Sequence, residues 1–113
     1  MHITEHVHDG VLVLSVSGRL NYYSRKTFQA VMSNAERGAV EHVVVNLEQV
    51  NFLDSVAIGL LALSQARLNL QGIVLSLVGP QANVKKMLDL ANIPKLIPVY
   101  QTEKEAIGLP VAV

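Results

Sequence analysis

The fold is decided by the stretch Val43-Val44-Val45-Asn46-Leu47-Glu48-Gln49-Val50-Asn51-Phe52-Leu53-Asp54-Ser55-Val56-Ala57-Ile58-Gly59-Leu60-Leu61. Its first five residues are mainly β-branched and apolar without alternation. That pattern predicts a strand buried on both faces, as in a parallel sheet. Glu48 to Leu53 reads as a loop leading to Asp54. A helix is expected from Ser55 to about Leu70, closed by Gly72. Asp54 stands at its N-cap position, where a carboxylate can accept from the first free backbone N–H groups.

On the N-terminal side, Ile3–His8 and Val11–Val16 read as two strands. Asp9-Gly10 between them is a two-residue hairpin signal, and Ser17-Gly18 ends the second strand. Phe28, Val31, Met32 and Ala35 fall on one stripe of a helix from about Tyr22 to Arg37, stopped by Gly38. On the C-terminal side, Ile73–Val78 reads as a strand broken by Gly79-Pro80. Val84, Met87, Leu88 and Ala91 form another helical stripe, and Pro94 bars its continuation. Ile97–Tyr100 reads as a short strand, and Thr102 with Glu105 as a capping box opening a last helix. The order β-β-α-β-α-β-α-β-α predicts an α/β fold. The expected sheet is mixed, with an N-terminal antiparallel hairpin, parallel strands joined by right-handed crossovers, and helices packed on it.

A chain of 113 residues, half of them hydrophobic, predicts a single domain over 1–113 with a core that needs no staples. Lys plus Arg equal Asp plus Glu, nine against nine. The basic residues are scattered, and Lys85-Lys86 is a pair rather than a stripe. Neither nucleic acid nor an anionic membrane is expected as partner. The absence of cysteine excludes disulfides, thiolate catalysis and Cys-based zinc sites, and fits a reducing, cytoplasmic setting. The N-terminus carries no signal-peptide pattern. The longest apolar run, Val56 to Leu63, is far below the roughly twenty residues a membrane span needs.

The Ser55 helix is the odd element. Between Ser55 and Leu70 only Arg67 is charged, and Val56, Ile58, Leu60, Leu61, Leu63, Leu68 and Leu70 surround the axis instead of forming one stripe. Such a helix is either covered on all sides or offers apolar surface to a partner. Asp54-Ser55 is either a plain helix cap or a cap whose serine carries a modification. A phosphate on Ser55 would sit at the positive end of the helix dipole, where backbone and dipole tolerate it. Tyr22 and Tyr23 lie at a loop–helix junction, either packed in the core or contacting a partner. His6 and His8 share a strand face, but two histidines without a third ligand do not make a metal site. Ser55 lacks a Gly-x-Ser-x-Gly elbow, and no Walker-type phosphate loop is present. No catalytic residue, cofactor or metal is expected.

The run Val43–Leu47 followed by Val50–Leu61 resembles the signature of STAS domains, in particular the single-domain anti-sigma factor antagonists of bacteria. The resemblance extends to Asp9–Leu14, Gly18–Asn21, Val84–Ala91 and Leu96–Tyr100, so it spans nearly the whole chain. It implies a binding protein that frees a sigma factor by partner switching. The partner it implies is an anti-sigma factor that is also a serine kinase, opposed by a phosphatase. By position it implies phosphorylation at Ser55 and a partner surface of Asn21, Tyr22, Asp54, Ser55, Val56, Ala57 and Ile58. Two departures stand out. The family usually continues after the serine with a small residue and Gly, where this chain has Val56 and Ala57. The loop position usually held by Asp is Asn21. A rival expectation is a constitutive STAS subunit of a larger assembly, such as a lipid-transport ATPase complex, using the same surface without phosphorylation.

Overall fold

The structure, a computed structural model, describes residues 1–108. Five strands, β1 (His2–His8), β2 (Val11–Leu20), β3 (His42–Leu53), β4 (Val74–Val78) and β5 (Val99–Tyr100), lie side by side in chain order. β1 runs antiparallel to β2, and every other neighbouring pair is parallel. The helices are α1 (Arg25–Arg37), α2 (Ser55–Leu70), α3 (Ala82–Leu90) and α4 (Glu103–Ile107). Asp9 and Gly10 both take positive φ, 49° and 77°, as a hairpin turn with the twist of its strands requires.

Each crossover advances one strand in the same direction, so the right-handed rule places α1, α2 and α3 on one face. Their apolar residues meet the inward side of the sheet in one cluster: Phe28 and Met32 of α1, Leu61 and Leu68 of α2 and Leu88 of α3 pack on Leu14, Val43, Val45 and Leu77. A fully buried Leu or Phe of this kind stabilises the fold by about 1.5–3 kcal/mol. The other face is covered by α4, whose Ala106 packs with Val13, Val44 and Val78. Thr102 Oγ1 caps α4 by accepting from Glu105 N at 3.1 Å. The Glu105 carboxylate accepts from Gln101 N, one residue before the position a strict capping box uses.

Three expectations change. The segment Glu48–Leu53 is strand, not loop, and β2 runs on through Gly18 to Leu20. β3 stays paired to β2 by absorbing two irregularities: Ser15 faces Asn46 but Ser17 faces Gln49, and Gly18 faces Val50 but Arg19 faces Phe52. Each puts an extra residue on β3 and breaks the two-residue alternation by which strands are recognised. Buried Asn46 supports the first one. Its Oδ1 accepts from Glu48 N at 2.9 Å, and its Nδ2 donates to the Glu48 and Glu103 carboxylates. Gly79 follows β4 with φ 63°, and a Cβ there would overlap Glu48 Cγ, so this turn requires glycine. The helix expected from Tyr22 begins as a 3₁₀ turn, Tyr22–Ser24, and becomes α1 only at Arg25.

On the α4 side of the sheet, half-buried His42 places Nε2 2.8 Å from the hydroxyl of buried Ser76. Burial holds its pKa below the ordinary histidine value of about 6.5. Below that value the unfolded chain binds the proton more readily, so stability is complete above about pH 6.5 and declines as pH falls toward the folded pKa. The drop in Tm between about pH 7.5 and about pH 5.5 is therefore expected to be smaller in His42→Gln than in the wild type, by scanning calorimetry at matched ionic strength. An equal drop in both would remove His42 as the linked group.

Candidate partner-docking site

The end of the β2–β3 ladder builds the site. Leu20 pairs with Leu53, so the chain leaves both strands at one point, with Asn21 beside Asp54. Asp54 is extended, at φ −108° and ψ −177°, and caps α2. Its Oδ1 accepts from Ala57 N at 2.9 Å, and its Oδ2 accepts from Tyr22 N at 3.1 Å. One carboxylate thus satisfies a free donor of the helix and clamps the Tyr22–Ser24 turn onto the helix head.

The turn has its own cap. Asn21 Oδ1 accepts from Tyr23 N at 3.0 Å and from Ser24 N at 3.2 Å, while Ser24 Oγ accepts from Asn21 N at 3.0 Å. Asp would make the same bonds, so Asn21 keeps the local geometry and removes one negative charge. This reciprocal cap escapes a motif search because the box needs Glu or Gln where the chain has Ser24.

Ser55, the first residue of α2, is exposed. Beside it lies an open groove of about 530 Å³ lined by Phe52, Leu53, Asp54, Ser55, Asn83 and Met87. Asn83 Nδ2 donates to Asn51 O at 2.9 Å, which fixes the head of α3 against β3. The Arg19 guanidinium lies 4.8 Å from the centre of the Phe52 ring. The resemblance places Arg19 in the loop beside the site, while Phe52, Asn83 and Met87 are not expected there from sequence. Phe52 lies on β3 where the sequence predicts a loop, and Met87, on the predicted apolar stripe of α3, faces the groove.

The α2 helix does both things its composition allowed. Ala57, Leu60, Leu61, Ser64 and Leu68 are buried. Ser55, Gly59, Leu63, Ala66 and Leu70 follow one another at i+3 or i+4 spacing and are all exposed. An uncharged outer face therefore runs down the helix from Ser55.

Of the expected contact residues, Asn21, Tyr22, Asp54 and Ser55 are brought together. Val56 and Ile58 are part-buried against the core. Ala57 is fully buried, so its side chain offers no contact surface, and its N–H serves the Asp54 cap. Neither tyrosine packs in the core: Tyr22 is 48% and Tyr23 89% exposed. His6 and His8 pair with Val13 and Val11 at the exposed sheet edge. Among the described residues no three His, Cys, Asp or Glu side chains are grouped to hold a metal ion. No described helix is long and apolar enough to cross a membrane.

The sheet order, the capped serine and its position at the end of the β2–β3 ladder define a class. The STAS domain family model matches residues 2–106, and the chain belongs to this family. Among curated proteins it is 29% identical over 101 residues to an anti-sigma F factor antagonist of Paenibacillus polymyxa, covering 88% of this chain and 86% of that one. Among solved structures it matches the anti-sigma factor antagonist SpoIIAA in its unphosphorylated form, with TM-score 0.80, 24% identity and coverage of 94% of this chain and 93% of that one. It also matches the Bacillus cell fate determinant SpoIIAA in the phosphorylated form, with TM-score 0.72, 24% identity and coverage of 94% and 96%. At these identities the structural matches establish the fold.

The cap can be tested apart from any partner. Asp54→Ala, which loses both bonds, is expected to cost about 2 kcal/mol of stability, whereas Asp54→Asn, which keeps the acceptor for Ala57 N and loses only the bond from Tyr22 N, should cost about 1 kcal/mol or less. Urea unfolding midpoints at constant m-value give both numbers. Equal losses would mean that capping is not what Asp54 contributes.

Proposed function

We propose that this chain is an anti-sigma factor antagonist that works by partner switching, with docking controlled by phosphorylation of Ser55. The single observation that carries the reading is the exposed Ser55 hydroxyl at the head of α2, beside an apolar groove and next to an Asp54 whose two oxygens are already committed to backbone donors. The 29% identity to an anti-sigma F factor antagonist supports the same role. The partner is an anti-sigma factor acting as a serine kinase, and a phosphatase restores the free hydroxyl. The protein acts in the cytoplasm as one domain over residues 1–113, and its role is binding rather than catalysis.

The docking surface comprises Asn21, Tyr22, Asp54, Ser55 and the exposed edges of Val56 and Ile58, extended by the groove to Phe52 and Met87. Unmodified, Ser55 presents only an uncharged hydroxyl beside Phe52 and Met87, and the Asp54 oxygens already accept from Tyr22 N and Ala57 N, so a partner meets no uncompensated charge at the serine. A phosphoserine adds about −1.5 to −2 charges at neutral pH. Burying that charge against Phe52 and Met87 is unfavourable unless the partner supplies cations. The modified form therefore releases the partner.

The test is binding of the purified anti-sigma factor encoded by the same genome. Ser55→Ala is expected to bind like wild type, and Ser55→Asp to lose about ten-fold or more in affinity. Intact mass from the native host should show a reversible increment of one phosphate mapping to Ser55. Equal binding by Ser55→Asp and wild type, with no phosphorylated species in the host, would sink the switch. Gly59 supplies an independent check. A Cβ there would meet nothing within 4 Å. Gly59→Ala should stabilise the free domain by up to about 1 kcal/mol. If a partner packs closely on the outer face of α2, the same change should weaken docking, an opposite sign that a purely structural glycine would not give.

A further inference from the structure

Two exposed tyrosines stand beside the Ser55 helix head in a fixed arrangement. Their ring centres are 5.4 Å apart with planes at 86°, an edge-to-face pair. The Arg25 guanidinium lies 3.7 Å from the Tyr22 ring centre, and its Nη1 donates to Tyr22 O at 2.7 Å. Neither ring is needed by the core, since Tyr23 is 89% exposed. Yet the backbone beneath them is held from four sides. Asp54 holds Tyr22 N, Asn21 holds Tyr23 N and Ser24 N, Arg25 holds Tyr22 O, and Ser24 Oγ donates to Arg19 O at 2.9 Å.

A free surface gains little from so much order around two large exposed rings. A docking surface gains directly, because a partner then does not have to immobilise them. Tyrosine also supplies large contact area with few rotatable bonds, and Tyr with Arg is the composition of interface anchors.

We propose that Tyr22 and Tyr23 form a preorganised aromatic anchor that determines affinity for the protein reading Ser55, and that Asp54 is the positioning residue that sets it. The inference rests on the docking function proposed above. The occupant is that same partner, because the Asp54 carboxylate bonds the anchor and the Ser55 helix into one surface. Its chemistry follows from the patch: an apolar slot for the two rings, with a carboxylate at the rim to meet the Arg25 guanidinium. Asp54 acts through the turn. Asn at this position keeps an oxygen for Ala57 N, but its amide nitrogen cannot accept from Tyr22 N, so the clamp is lost and the cap kept.

The experiment measures binding of the purified anti-sigma factor from the same genome by calorimetric titration, with wild type, Tyr23→Ala, Tyr23→Phe, Tyr22→Ala and Asp54→Asn. Tyr23→Ala and Tyr22→Ala are expected to lose about ten-fold or more in affinity, Tyr23→Ala with unchanged Tm, and Tyr23→Phe to bind like wild type. Asp54→Asn is expected to weaken binding and to speed hydrogen exchange at the Tyr22 amide by about ten-fold while Ala57 stays protected. A merely structural cap would give neither change. Binding of both alanine variants within about two-fold of wild type overturns the anchor, whatever Ser55→Asp does. Loss in Asp54→Asn without faster Tyr22 exchange overturns the positioning role. A wild type that binds no anti-sigma factor overturns both this inference and the function it rests on, whereas tyrosine-dependent binding that ignores Ser55→Asp overturns the switch alone.

Discussion

Parallel pairing of β2 with β3, carried past two irregularities to Leu20 and Leu53, is the constraint on which the rest of the molecule depends. Had the register that pairs Ser15 with Asn46 continued unbroken, Leu20 would face Asn51, and Asp54 would lie two residues beyond the level of Asn21. With the extra residues on β3, Asn21 and Asp54 leave the sheet together, and a single carboxylate can bond both the turn and the helix. The first irregularity is stabilised by Asn46, whose side chain accepts from the Glu48 N–H. Asn46 also reaches Glu103 at the start of α4, so the same buried amide ties the packing of the opposite sheet face to the strand that sets the site. A buried amide with all its partners is stabilising, and one deprived of them is costly.

The α2 helix shows why composition misleads about burial. Its inward side includes small Ala57 and polar Ser64, and its outward side includes Leu63 and Leu70, 49% and 83% exposed. Polarity is spread almost evenly round the axis, although burial is one-sided. The positions that pack, Ala57, Leu60, Leu61, Ser64 and Leu68, keep the three- and four-residue spacing of an ordinary buried stripe. What departs from an ordinary surface helix is the lack of charge outside. Arg67 is the one charge, and it is turned to Glu36 of α1 at 3.0 Å. The positions Ser55, Gly59, Leu63, Ala66 and Leu70 leave an uncharged stripe down the outer face.

The strand and helix order was legible because it rests on local patterns. Val43–Leu47 is too short and too β-branched for a helix, and Asp9-Gly10 admits few conformations besides the turn it forms. The α2 bounds, Ser55–Leu70, follow from Asp54 at one end and Gly72 just past the other. The extension of β3 was not legible, since a strand with two irregularities loses its alternation and Glu48-Gln49 followed by Asn51 looks like loop. The site was legible only in part for the same reason. Asp54 and Ser55 announce themselves by position next to an apolar helix. Phe52, Asn83 and Met87 join them only through the strand register and the docking of α3, which are long-range facts. The resemblance implies a partner contact for Ala57 by its position in the motif, whereas the helical phase turns its side chain inward.

The electrostatics of the helix head indicate where a phosphate on Ser55 would act. Attraction to the N-terminus of α2 is worth about 0.3–1 kcal/mol for an exposed charge. Repulsion from the neighbouring Asp54 carboxylate has the opposite sign and, for unit charges a few ångströms apart in water, about the same size. Asp54 is moreover engaged with the Ala57 and Tyr22 N–H groups, whose positive ends face its oxygens. The two effects nearly cancel, and either is small beside the 5–15 kcal/mol or so that hold a domain together. Phosphorylation would therefore leave the fold in place. In the proposed docked state the water that screens the charge would be gone, and the dianion would lie beside Phe52 and Met87, where an uncompensated charge costs several kcal/mol or more. The difference between those two environments, rather than any change within the domain, would give the Ser55 hydroxyl control over binding in the proposed switch.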